Sequence, residues 1–126
     1  MKVTLDVENT VTKRDGKMHL DPFEPDNTLV MVGVLTDQDV EMHFPFDHSE
    51  HESQHDYHER VQWFLDNATV LIMHNVAHDL LWLWESGFKY DGPVFDTMLA
   101  EYVLQRGIKE PLSLEACAER YDLDTK

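Results

Sequence analysis

The chain has 126 residues, about one domain's worth, and is 42% hydrophobic and 10% aromatic, enough to bury a core and too apolar for a disordered segment. Ten Lys and Arg against twenty-five Asp and Glu give a net charge of −15, which excludes a basic nucleic-acid-coating module and a polybasic membrane-surface binder. The single cysteine, Cys117, excludes an internal disulfide, the amino terminus lacks the apolar segment of a signal peptide, and no apolar run approaches the ~20 residues of a membrane span, so a cytoplasmic protein is expected.

In chain order, Val3–Val7 reads as a short strand. Residues 9–27 are polar, with a turn signal at Asp15-Gly16 and prolines at 22 and 25. Thr28–Leu35 is rich in β-branched residues and reads as a buried strand; Val40–Phe44 pairs with it through the turn Thr36–Asp39. Residues 49–67 read as a helix that turns apolar at Val61, Phe64 and Leu65. Val70–Met73 is wholly apolar, as in a strand buried on both faces. Residues 76–86 form a helix ending near Gly87, apolar nearly all round and therefore expected to be well buried. Residues 96–105 form a helix capped by Asp96 and stopped at Gly107, and residues 112–121 a last helix with Ser113 as its cap. The order β-β-β-α-β-α-α-α predicts an α/β layer around a mixed sheet. The sequence stops just past that helix, with no final strand or closing helix.

Two features carry chemistry. Asp6 and Glu8 are two residues apart on the first strand and so share a face. On a central strand they would repel one another and lose solvation, and a divalent cation relieves both. On a solvated edge strand they would need no ligand. The second is His74-Asn75-Val76-Ala77-His78-Asp79, between the buried strand and the next helix. Ligands of open α/β sheets bind at the carboxyl ends of strands, so Asn75 and Asp79 converge with Asp6 and Glu8 if their strands are neighbours. Alternatively, Asn75 caps the helix and Asp79 favours its positive end.

Asp-x-Glu on the first strand, then Asn-x-x-x-Asp some seventy residues on, resembles the DEDD (DnaQ-like) 3′–5′ exonucleases. Residues 94–104 (VFDTMLAEYVL) and 112–121 (LSLEACAERY) resemble the segments that follow in proofreading domains of phage-type family A DNA polymerases. The resemblance covers essentially the whole chain and implies a ribonuclease H-like mixed sheet with helices on both faces, cut short after the fourth helix. It implies hydrolysis of the 3′-terminal phosphodiester to nucleoside monophosphate with two magnesium or manganese ions. Asp6 would bridge both ions, Glu8 would hold one and orient the attacking water, Asp79 would hold the second through water, and Asn75 would position the scissile end. The implied partners are a single-stranded DNA 3′ end, a downstream remainder of the exonuclease domain and a polymerase domain, in a bacterial or phage-infected cell, with no membrane.

The family also carries a third motif, Tyr-x-x-x-Asp or His-x-x-x-Asp, beyond the second. It is absent here: Tyr90, Tyr102 and Tyr121 lead to Val94, Arg106 and Thr125. His43 leads to Asp47 at the right spacing, but on a strand and before the second motif. The fourth carboxylate and the water-activating residue are therefore missing, and little or no activity is expected of these residues alone. A stand-alone DEDD exonuclease acting on RNA would share the two motifs. A vestigial, non-catalytic ribonuclease H-like binding module would share the fold.

Other patterns are discounted. His51-Glu52-Ser53-Gln54-His55 matches the zinc-protease motif, but on a helix solvated on every side. Residues 37–59 hold eight acids and no Lys or Arg, and read as a solubilising face turned away from DNA. Lys13, Arg14 and Lys17 read as a charged hairpin tip that could touch a phosphate, and Trp82 and Trp84 as core. Asp96 is read as a cap.

Overall fold

A computed structural model describes residues 1–46 and 54–123. Seven strands and four helices are described, in the order β1 (Lys2–Asn9), β2 (Thr12–Arg14), β3 (Lys17–His19), β4 (Leu29–Thr36), β5 (Glu41–Pro45), α1 (Gln54–Asn67), β6 (Val70–Met73), α2 (Val76–Glu85), β7 (Val94–Asp96), α3 (Thr97–Leu104) and α4 (Leu114–Arg120). Five strands form one mixed sheet in the order β5-β4-β1-β6-β7, with β1 antiparallel to β4 and parallel to β6. The parallel β1–β6 pair is the arrangement that needs a crossover, here through α1. This is the ribonuclease H-like α/β architecture that the sequence leads one to expect.

Local chemistry explains the elements. In β1, Val3, Leu5 and Val7 are buried while Lys2, Thr4, Asp6 and Glu8 are exposed, so alternation fixes which face meets the core. Asp15 and Gly16 both take positive φ (53° and 77°), closing the β2–β3 hairpin with a primed turn whose twist suits the flanking strands. The Thr36 hydroxyl accepts from the amides of Gln38 and Val40 and shapes the β4–β5 turn. Gly87, at φ 90°, ends α2, and the Phe88 amide donates to the Leu83 carbonyl 2.9 Å away.

The core lies on one face of the sheet, where Val3, Leu5, Val32, Val34 and Phe44 meet Val61, Phe64 and Leu65 of α1 and Trp82 and Leu83 of α2. Three expectations need correcting. The strand β7 was not expected; its three residues alone are too short for a hydrophobic period, and only pairing with β6 makes them a strand. The helix α2 is not buried all round: Trp82 is core, but Trp84 is 50% exposed. β4 is buried on one face only: Val32, Val34 and Thr36 are buried, whereas Leu35, on the face shared with Asp6, is 45% exposed.

Candidate active site

The strand β1 is the middle strand of its sheet, so the solvated-edge alternative for Asp6 and Glu8 does not hold. Both acids nevertheless stay exposed, because they point away from the packed face. Pairing of β1 with β6 runs only from Lys2↔Val70 to Thr4↔Ile72, after which β6 ends at Met73. The chain then turns at His74 and Asn75 into α2. Its first turn sets the Asp79 carboxylate beside the unzipped stretch of β1, where the Val7 amide donates to it.

Asp79 is only 3% exposed, and its Oδ2 is a buried oxygen with no hydrogen-bond partner among the described residues. Burial, the negative charge of Asp6 and, to a lesser degree, that of Asp96 push its pKa up to about 8, against the pull of the Val7 amide. Such a buried, orphaned carboxylate facing another acid costs free energy unless a cation joins it.

Asn75 occupies the amino-terminal cap position of α2, but its side chain makes no cap hydrogen bond, and its backbone is left-handed, φ 72°. The capping alternative for Asn75 therefore fails. Asp96 does that work: its carboxylate accepts from the amides of Asn75 and Val76 and also from those of Met98 and Leu99, so it caps α2 and α3 together. Burial would raise the Asp96 pKa, but these four donors outweigh it and hold the carboxyl below its usual range. His74 bonds the Thr97 hydroxyl and the Leu112 carbonyl, and His78 bonds the Asn9 amide oxygen, which fixes the α2 entry against β1 and the α3–α4 segment.

The donors suit magnesium or manganese in kind, being carboxylate oxygens. Among the described residues, no group of three or more His, Cys, Asp or Glu side chains stands close enough to hold one ion. Asp6 is near enough for its charge to act on Asp79, and Glu8 is next on the same face of the strand. Magnesium is commonly held by one or two carboxylates, with water and substrate phosphate filling the other positions, so this pair fits an anchor of that kind.

A sequence profile of the 3′–5′ exonuclease family matches residues 20–123. The chain belongs to this exonuclease family. The match includes Asn75, Asp79 and Asp96 but begins after β1, so Asp6 and Glu8 stand on their geometry. A solved structure described as the apo form of a nuclease superposes on the exonuclease domain with a TM-score of 0.65, over 99% of this chain and 54% of its own, at 17% identity. That likeness shows the fold, and the chain spans about half the length of that nuclease. No curated protein matches the sequence.

Several other residues of the exonuclease domain differ in place from what the sequence led one to expect. Glu41 and His43 of β5 line a pocket of about 200 Å³ together with Thr4, Asp6, Glu8 and Gly33. The acidic run is thus not wholly turned away from the site. The signal was available in the alternation of β5, where His43 lies out of phase with buried Phe44. Arg14, itself exposed, is paired with Glu24 and Asp26, and Lys13 and Lys17 are exposed beside it. Tyr121 donates its hydroxyl to Glu101, so it serves the α3–α4 contact. The zinc-protease motif falls largely outside the described residues, which do not include His51, Glu52, Ser53 or the side chain of His55. His58 stacks on Phe88 with ring centroids 4.0 Å apart.

Proposed function

We propose that this exonuclease domain hydrolyses the 3′-terminal phosphodiester of single-stranded DNA, releasing nucleoside monophosphates. The observation that carries the reading is the buried Asp79 carboxylate, orphaned at Oδ2 and set against Asp6 where β1 runs past the end of β6. Asp6, Glu8 and Asp79 would hold two magnesium or manganese ions, which neutralise and polarise the phosphodiester when bound. Glu8 would orient the attacking water. Asn75, its side chain released from capping, would position the scissile end. The net charge of −15 does not oppose this, because screening over about 8 Å in physiological salt lets the local cation field dominate at the phosphate.

The proposal extends to a downstream exonuclease remainder and a polymerase domain as partners. Val94, Phe95, Leu99, Val103 and Leu104 line an almost wholly apolar concavity of about 550 Å³ beside β7 and α3. Such a face suits cover by further polypeptide, and the missing third motif calls for a segment that brings a fourth carboxylate.

The test has two parts. Magnesium or manganese is expected to raise the melting temperature of the 126-residue chain, and Asp6→Ala to abolish the increment. Release of mononucleotides from a 3′-labelled single strand is then assayed on the chain joined to its downstream remainder. Asp6→Ala and Asp79→Ala are each expected to lower the rate by at least about a hundredfold. Preferential cleavage of RNA would favour the RNA exonuclease, and absence of metal binding would favour a non-catalytic module.

A further inference from the structure

Pairing between β1 and β6 stops at Thr4↔Ile72, yet the acids of the site lie beyond it, at Asp6 and Glu8. On the other side of β1, the register with β4 slips between Glu8 and Asn9. The end of β1 is therefore weakly held by the sheet, and side chains set its distance from α2. Alternation puts Asn9 on the same face as buried Val3, Leu5 and Val7, the face on which α2 packs. The Asn9 amide oxygen lies 2.9 Å from His78 Nε2, across 69 residues of chain.

The sense of this bond follows from the partners of Asn9. Its Nδ2 donates to the carbonyls of Thr10, at 2.8 Å, and Leu20, at 3.2 Å. Carbonyls only accept, so the amide turns its oxygen to His78, and the ring carries a proton on Nε2. The Leu20 carbonyl also accepts from Trp82 Nε1, 2.9 Å away. His78 and Trp82 stand at i and i+4 and share a face of α2. Asn9, His78, Trp82 and the Leu20 carbonyl thus close a circuit that grips two successive turns of α2 and ties them to the end of β1. Trp82 is buried in the core and anchors the circuit there.

We infer that Asn9 is a positioning residue of the metal site: through His78 it sets the spacing between the acids of β1 and Asp79. The inference rests on the reading that Asp6, Glu8 and Asp79 hold divalent ions. Asn9 follows Glu8 directly and His78 precedes Asp79 directly, so one hydrogen bond joins the chain neighbours of two acids from different motifs. Asn9 is not itself assigned as a ligand, because its oxygen is engaged by His78 and its nitrogen by two carbonyls. Ligands of one ion tolerate little change in spacing. Groups that hold ligands in place are accordingly worth about ten- to a hundredfold in metal affinity.

The experiment measures manganese affinity of the 126-residue chain from the paramagnetic resonance signal of the free ion, well below the melting temperature of every variant. Asn9→Ala is expected to bind manganese about tenfold more weakly than the wild type. His78→Ala and the double variant are expected to lose the same factor and not its square, because both changes remove one bond. His78→Gln, which keeps an N–H donor near the place of Nε2, is expected to restore most of the affinity. Val61→Ala, which opens a cavity in the core under α1, is expected to lower the melting temperature and leave the affinity unchanged. Wild-type affinity in Asn9→Ala, losses that multiply in the double variant, a His78→Gln no better than His78→Ala, or an equal loss in Val61→Ala overturns the inference. Asp6→Ala separates the two readings. If it abolishes manganese binding while Asn9→Ala leaves binding intact, the positioning role fails alone; if the wild type binds no manganese, both readings fail.

Discussion

Asp79 concentrates the electrostatic tension of the metal-free protein in one side chain. Its folded pKa of about 8 lies above the ordinary carboxyl value of 3.8, so the folded state holds a proton that the unfolded chain releases. Stability from this group is therefore full below pH 4 and is lost as pH rises toward 8, at up to ~1.4 kcal/mol per pH unit. Chelated wild type should lose stability relative to Asp79→Asn between pH 5 and 8, measured by urea melts of the two proteins side by side. A pH-independent difference would mean that Asp79 is not protonated in the fold. A divalent ion binds the ionised form, so stabilisation by manganese should grow across the same window.

At the scale of elements, Asp96 joins what the sequence lists separately. One carboxylate receives four backbone amides, two from the start of α2 and two from the start of α3. Loss of a single amino-terminal cap typically costs ~1 kcal/mol, so Asp96→Ala should cost about 2 kcal/mol or more, read from chemical denaturation at neutral pH. Because the α2 start also carries Asn75 and precedes Asp79 by one turn, the same change should weaken manganese binding although Asp96 is not expected to touch the ion. A loss of stability with unaltered metal affinity would separate the cap from the site. The depressed pKa of Asp96 gives the opposite pH sense from Asp79: its contribution is present above the ordinary carboxyl range and fades as pH falls.

Across the whole molecule, burial is uneven. One sheet face packs against α1 and α2, whereas Leu99, Val103 and Leu104 of α3 are 58%, 64% and 67% exposed. Contiguous apolar surface of this kind promotes association. The 126-residue chain should self-associate as its concentration rises, in sedimentation velocity runs. The double variant Leu99→Lys, Val103→Lys should stay monomeric at the same concentration with a melting temperature within a few degrees of the parent, since exposed side chains contribute little to folding. A large drop in melting temperature would show that α3 is packed in solution.

The sequence by itself determined the elements whose periods are long enough to read. The alternation Val3, Leu5, Val7 against Asp6 and Glu8 defined β1 and its two faces, and the turn residues at Asp15-Gly16, Gly87 and Gly107 set boundaries that the backbone obeys through positive φ at the glycines. It also assigned Asp96 and Ser113 as caps, because capping is a local interaction between a side chain and amides two or three residues away. Only the tertiary structure decided that β1 is central and parallel to β6, that Asp79 rather than Asn75 is the buried member of the second motif, and that Asp96 also caps α2, 20 residues earlier in the chain. It alone placed His43 in line with Asp6 across Gly33. The physical reason is range. Caps, turns and alternation are fixed by neighbours in the chain, whereas strand register, burial and the shift of a carboxyl pKa depend on groups that only the folded sheet brings together.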